Sequence, residues 1–158
     1  MSNKGLSNFL LNRYTKKIIG CKFLGVYPCD AYPIKFFLIK NCSIIFNLSP
    51  HYEKGSHFVA VLKKNNSIFY FDSFGKTCSN KDIKNFLRKF NGNIYFNSKT
   101  IQHKNSFLCG FFCLAFLICC QKNNSSLNAF IEMFNPRNLN ENDTIVIRYI
   151  MNEIKKTK

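Results

Sequence analysis

The sequence predicts an α+β fold with a small central mixed β-sheet flanked by helices, and three observations support this class. Short runs rich in Ile, Phe and Val, bounded by turn residues, are typical of strands in the first half of the chain. Apolar residues at helical spacing within residues 79–90 indicate an amphipathic helix. A nearly unbroken apolar run at 109–120 is typical of a helix buried on all sides. Helices segregated around one sheet define the α+β class.

The first half of the chain contains one predicted helix and three predicted strands. Residues 5–20 can form a helix, with apolar or long side chains spaced along one stripe: Leu6, Phe9, Leu10 and Arg13. Residues 22–33 are predicted as a loop because Gly25, Pro28 and Pro33 interrupt them. Strands are predicted at 42–48, 56–64 and 67–74, the last two joined by a turn at Asn65 and Asn66.

The second half is predicted to be mostly helical. In the helix at 79–90, Ser79 and Asp82 are placed as a variant of the capping box, and Asn91 and Gly92 end it. The helix carries one apolar stripe, formed by Ile83, Phe86, Leu87 and Phe90. A fourth short strand is predicted at 93–96 and a buried helix at 109–120. A helix at about 125–134 is capped by Ser125 or Ser126, and a terminal helix starts at Asp143.

Length and charge limit the class of protein. The chain has 158 residues without a repeat or a break in composition, so residues 1–158 are predicted to form a single domain. Its 23 basic and 8 acidic residues give a net charge of +15. Such a field favours polyanions, with double-stranded DNA ahead of an anionic membrane surface. Because the lysines are scattered, we expect phosphate contacts without reading of base sequence.

The eight cysteines do not indicate a secreted disulfide framework. No signal-peptide pattern precedes them, and the apolar run 107–120 is too short to span a bilayer. The sequence therefore predicts an intracellular, reduced monomer without a membrane partner, whose cysteines are mostly small core residues. With no CxxC pair and three scattered histidines, no metal site is predicted, and no metal or organic cofactor.

Cys109 is the candidate nucleophile. It begins the apolar run, where a helix N-terminus favours an anion and hence the reactive thiolate form of a cysteine. Gly110 beside it allows a close approach of neighbouring chain. Taken alone, the local pattern favours a buried structural cysteine over a nucleophile, and Cys113, Cys119 and Cys120 are interpreted as core residues.

A nucleophilic cysteine needs a base and a group that orients the base. Of the three histidines, His57 lies at the start of a predicted strand and can project into a cleft. Asp72 follows the next strand and is the acid in the most apolar segment. If these strands form an antiparallel hairpin, both residues come to one end of the sheet. Gln102, seven residues before Cys109, can supply a side-chain donor for an oxyanion together with the N–H of Cys109.

In this order the four residues resemble the adenovirus protease, adenain, and its clan, which includes the SUMO and ubiquitin-like-protein proteases. The matching segments span roughly residues 22–120: KFLGVYPCDAYP, GSHFVAVL, FYFDSFG, the glutamine and CGFFCLAF. The resemblance implies Cys109 as nucleophile, His57 as base, Asp72 as third member and Gln102 in the oxyanion hole. It also implies the adenain fold, a permuted form of the papain-like one, with the nucleophile at the N-terminus of a buried helix.

The same resemblance implies a viral cysteine endopeptidase that cleaves capsid and core precursor proteins during virion maturation. Such enzymes cut Gly-containing sites of the type Leu/Ile/Met-x-Gly-Gly-x, act in the virion and the host nucleus, and are stimulated by DNA and an activating viral peptide. Three features depart from the family. Phe58 stands where a tryptophan is usual, Asp72 where a glutamate is common, and no cysteine lies shortly before Gln102 to tether a peptide.

Two other functions remain open from the sequence. A deconjugating protease for a ubiquitin-like protein would use the same residues on a Gly-Gly tail. A non-enzymatic, basic DNA-binding virion protein would carry Cys109 only as a core residue, and its DNA binding would survive Cys109→Ala.

Overall fold

The computed structural model describes residues 5–156, in which five strands form one mixed sheet surrounded by six α-helices. The helices are α1 Asn8–Ile19, α2 Lys35–Leu38, α3 Lys81–Arg88, α4 Cys109–Leu117, α5 Leu127–Glu132 and α6 Leu139–Lys156. The strands are β1 Phe23–Pro28, β2 Asn41–Asn47, β3 Phe58–Lys64, β4 Ser67–Phe71 and β5 Asn93–Phe96. A 3₁₀ turn, Gly20–Lys22, follows α1, and a π-helical turn, Ile118–Lys122, follows α4.

The strands lie side by side in chain order, from β1 to β5. The two outer pairs, β1 with β2 and β4 with β5, are parallel, and the pairs that include β3 are antiparallel. The central strand β3 is buried along nearly all its length. The predicted class, a mixed sheet flanked by helices, is confirmed.

Each face of the sheet has its own hydrophobic core. Side chains alternate along β3, so that Ala60 and Leu62 face one core while Val59 and Val61 face the other. The first core contains α1, α4, α5 and α6, through Leu11, Ile18, Phe112, Phe116, Phe130, Val146 and Ile150. The second contains α2 and α3, through Phe36, Ile83, Phe86 and Leu87. Helix α4 is apolar on every side because it lies between the sheet and the other helices of the first core.

Two predictions for the start of the chain were wrong. The buried face of α1 consists of Leu11, Thr15 and Ile18, whereas Phe9 of the predicted stripe is 69% exposed. Residues 23–28, predicted as loop, form strand β1. Gly25, with φ of 140°, lies in an irregularity between the paired residues Phe23 and Val26. Pro28 ends an edge strand, where its missing N–H costs little.

Boundaries also shifted in the second half. Asn80, rather than Ser79, caps α3, since its side chain accepts from the N–H groups of Asp82 and Ile83. Helix α6 starts at Leu139, four residues before Asp143, with the Asn138 side chain accepting from the Glu141 N–H. Ser126, one of the two predicted caps, caps α5.

Further boundaries differ from those predicted. The α-helix predicted at 109–120 is α-helical to Leu117 and continues as the π-helical turn. Strand β4 ends at Phe71 rather than at residue 74, because the next residues turn away from the sheet. Among the described residues no helix is long and apolar enough to cross a bilayer.

Candidate active site

His57 and Asp72 meet at one end of the sheet. Strands β3 and β4 are antiparallel, with Ala60 paired to Phe71, so the residue before β3 and the residue after β4 lie at the same edge. The His57 Nε2 atom is 2.9 Å from Asp72 Oδ1. Because a carboxylate can only accept, Nε2 carries the hydrogen, and Nδ1 is left for another partner. The two side chains are only 14% and 5% exposed.

The Asp72 carboxylate is fixed by its own neighbours in the chain and by β5. The Phe74 N–H donates to Asp72 Oδ1 over 2.8 Å, and the Gly75 N–H donates to the Asp72 carbonyl, also over 2.8 Å. The buried Asn97 side chain bonds the Asp72 backbone twice, accepting from its N–H at 2.9 Å and donating to its carbonyl at 2.7 Å. The acid is therefore held in place before any ligand binds.

Cys109 is the first residue of α4 and is 8% exposed. Leu108 before it offers no side-chain cap, and among residues 5–156 the N–H groups of Cys109 and Gly110 find no acceptor. Two donors at a helix N-terminus thus accompany the thiol. Gly110 is closely surrounded, since an added Cβ would lie 3.3 Å from the Leu11 side chain and 3.4 Å from the Phe58 side chain.

Cys109 and Asp72 together determine the charge state of His57. Burial alone would lower the pKa of His57, but hydrogen bonding and charge attraction to Asp72 and Cys109 outweigh it and raise the pKa to about 9. A pKa raised in this way favours the imidazolium, which is the form that stabilises a neighbouring thiolate. A hydrogen bond thus joins His57 to Asp72, and Cys109 is near enough to His57 to raise its pKa.

Gln102 is 1% exposed and lies in the loop that leads to α4. Its Oε1 atom accepts from the Ser73 hydroxyl at 2.6 Å, and its Nε2 donates to the Ser106 carbonyl at 2.8 Å. One Nε2 hydrogen remains for a ligand. Within the described chain no hydrogen bond joins Gln102 to Cys109 or His57, and its two bonds to Ser73 connect it to the residue next to Asp72 in the chain.

Three residues of this site were missed from the sequence: Ser73, Phe74 and Asn97. The Phe74 ring stacks on His57, with 4.8 Å between ring centres and 28° between planes. Ser73 and Phe74 directly follow the predicted acid in the chain, and this proximity was a signal for both. Asn97 follows β5, and only the parallel pairing of β4 with β5 brings it to Asp72.

The remaining histidines are elsewhere. His51 Nδ1 contacts Asp30 Oδ2 at 2.5 Å on the surface, and His103 Nδ1 accepts from the Asn105 N–H. Across the described ranges no group of three His, Cys, Asp or Glu side chains could hold a metal ion.

No protein-family model matches the chain, and no curated protein matches it. Its structure is similar to that described as the central domain of uncharacterized Lpg1148 protein from Legionella pneumophila. The TM-score is 0.56 at 11% sequence identity, over 98% of this chain and 96% of that one. At this identity the likeness concerns the fold alone.

Proposed function

We propose that the chain is a cysteine endopeptidase of the adenain type, with Cys109 as nucleophile, His57 as base and Asp72 as orienting acid. The observation that carries this proposal is the position of His57, whose ring bonds Asp72 through Nε2 and interacts with Cys109 at the start of α4. A structural cysteine needs no protonated imidazole and no exactly oriented carboxylate beside it. The unbonded N–H groups of Cys109 and Gly110 support the same interpretation.

The proposed reaction has two steps. The Cys109 thiolate attacks the scissile carbonyl carbon, and the Cys109 N–H and Gln102 Nε2 stabilise the oxyanion that forms. When the C–N bond breaks, His57 gives its proton to the leaving amine. A water molecule, deprotonated by His57, then attacks the thioester and releases the acid and the Cys109 thiolate.

The resemblance extends the proposal to substrate and setting. The substrates would be viral capsid and core precursors cut at Leu/Ile/Met-x-Gly-Gly-x sites, in the virion and the host nucleus. The charge of +15 supports stimulation by double-stranded DNA, because a basic enzyme is concentrated on the polyanion. The same mechanism on a ubiquitin-like fusion remains the alternative for the substrate.

The decisive experiment measures cleavage of fluorogenic peptides carrying Leu-x-Gly-Gly-x sites, in reducing buffer with and without DNA. The wild type should cleave them and Cys109→Ala should not, while Cys113→Ala serves as the matched control because that thiol lies inside the core. Faster turnover of an intact ubiquitin-like fusion than of the peptides would favour the deconjugating alternative. Cleavage that survives in Cys109→Ala would contradict the proposal.

A further inference from the structure

A cavity of about 220 Å³ lies beside His57 and Asp72, on the side of the sheet that carries α3. Its lining includes His57 and Phe74 but not Cys109. In the proposed reaction the acyl part of the substrate stays on Cys109, whereas the leaving amine takes its proton from His57. The cavity touches His57, Asp72 and Phe74 but not Cys109, so it lies on the His57 side of the nucleophile.

The segment 76–79 forms one wall of this cavity and has unused hydrogen-bonding groups. It has no regular secondary structure, and among residues 5–156 none of its four backbone N–H groups finds an acceptor. Cys78 points inwards and is buried, while Lys76, Thr77 and Ser79 are exposed. The hydroxyls of Thr77 and Ser79 have no hydrogen-bond partner within the described part of the chain. Free main-chain donors beside a cleft are suited to an extended peptide.

Lys76 is the lysine that lines this cavity, and its ammonium group lies over the Phe74 ring. Its ammonium group lies 5.8 Å from the centre of the Phe74 ring, and that ring stacks on His57. No carboxylate pairs with Lys76 among the described residues, and the one acid in the lining, Asp72, is bonded to His57. The cavity therefore contains a positive charge without a paired carboxylate, and the Phe74 ring lies between this charge and the His57 imidazole.

We propose that this cavity and the 76–79 segment bind the leaving-group side of the substrate and that Lys76 selects an acidic side chain there. The inference rests on the proposed function and specifies its substrate class: a peptide with Asp or Glu shortly after the scissile bond. An exposed ion pair contributes about 1 kcal/mol at most, so the expected preference is about fivefold.

The first test compares fluorogenic peptides with Asp, Ala or Lys at each of the first three positions after the scissile bond. The wild type should cleave the best-placed Asp peptide with a kcat/KM about fivefold above that of its Lys counterpart, and Lys76→Glu should reverse this order. Lys40→Glu makes the same change in charge at the opposite end of the sheet and should keep the wild-type order. An order unchanged in Lys76→Glu, or lost equally in Lys40→Glu, would overturn the inference.

A second test does not depend on cleavage. An acidic peptide that represents the leaving-group side is titrated into Cys109→Ala protein, and the amide resonances of Lys76, Thr77 and Ser79 are followed by NMR. They should shift with the acidic peptide and much less with its lysine counterpart. Such shifts together with cleavage by the wild type would support both proposals, whereas shifts without cleavage under any condition would overturn the proposed function and, with it, the assignment of this cavity to the leaving-group side. Cleavage without acidic preference and without these shifts would overturn this inference alone.

Discussion

At the scale of residues, the chemistry of the site depends on how two neighbours share His57. Asp72 Oδ1 lies 2.9 Å from Nε2, so Nδ1 is the ring nitrogen available to Cys109. Both partners favour the imidazolium form, which is why the pKa of His57 rises to about 9 although the ring is buried. Above that pH the imidazole loses the proton that the leaving amine needs.

Asp72→Asn is expected to lower the pKa of His57, because the substituted side chain keeps the Oδ1 acceptor for the Phe74 N–H but loses the negative charge. The alkaline limb of kcat/KM should move to lower pH by the same amount. NMR titration of the His57 ring measures the first effect directly. Asp30→Asn, which alters the surface carboxylate beside His51, is the matched control and should leave the His57 midpoint in place. An unchanged midpoint in Asp72→Asn would refute this assignment.

The raised pKa also predicts how folding stability depends on pH. A group that is protonated more readily in the folded chain stabilises it fully below the unfolded pKa of 6.5 and loses that contribution as pH rises to about 9. The free energy of unfolding from urea titrations should therefore fall across this window, by up to about 3 kcal/mol. Asp72→Asn should show a smaller fall, and equal falls in both proteins would contradict the prediction.

Gln102→Ala is expected to lower kcat by about 10² to 10³ with little change in KM, which is the usual cost of losing one oxyanion donor. The steady-state kinetics of the peptide assay give both constants. Gln121→Ala is the control, since Gln121 accepts from Ser43 near the start of β2, at the other end of the sheet. A Gln102→Ala enzyme that changes only KM would place Gln102 in substrate binding instead.

At the scale of elements, the site forms where four strand ends meet. Strands β2 and β4 end, β3 begins and β5 ends at the same edge, so the loops that follow or precede them carry His57, Asp72 and Asn97. The turn after β4 is packed tightly against the segment after β5. Gly75 there has φ of 65°, and an added Cβ would lie 2.6 Å from the backbone carbon of Lys99.

Gly75→Ala should therefore destabilise the protein more than Gly20→Ala. Both glycines have positive φ, at 65° and 80°, so each substitution introduces backbone strain of about 1 to 3 kcal/mol. Only Gly75 would also force its Cβ against another segment, because nothing lies within 4 Å of a Cβ at Gly20. Urea unfolding of the two variants measures the difference, and equal losses would show that the turn can move away from Lys99 freely.

Local patterns in the sequence predicted the elements whose partners are near in the chain. The hairpin of β3 and β4 has a two-residue turn, and its geometry alone places His57 near Asp72. The apolar spacing of α3 was equally sufficient. Strand β1 was missed because its parallel partner β2 lies across α2, so no local turn indicates the pairing. Asn97 was missed for the same reason, since a parallel connection through α3 brings it to Asp72.

The cap of α3 shows a different limit. Ser79 and Asn80 are both good capping residues, and sequence alone does not choose between neighbours. Packing decides, because the Asn80 amide also donates to the Leu48 carbonyl, which fixes its side chain over the helix start. The predicted buried stripe of α1 was wrong for a similar reason. The helix contains two sets of apolar residues at helical spacing, and the fold buries the set that includes Leu11 and Ile18.

At the scale of the whole molecule, the dominant property is the net charge of +15. It predicts DNA binding that does not depend on base sequence. Because binding releases counterions from the DNA, the logarithm of the affinity should fall linearly with the logarithm of the salt concentration. Fluorescence anisotropy with two duplexes of different composition, at several salt concentrations, measures both features. Tight binding to one duplex only, or affinity that salt does not change, would contradict this account of the charge.

The distribution of thiols has a practical consequence. All eight cysteines lie in the described chain, none forms a disulfide, and only Cys21 is exposed. A maleimide added to the native protein should therefore modify Cys21 first, together with Cys109 if it is the activated thiol. The other six become reachable only when the cores open. Mass spectrometry of labelled peptides over time would thus give the opening rate of each region, so that the native cysteines act as built-in reporters of local unfolding.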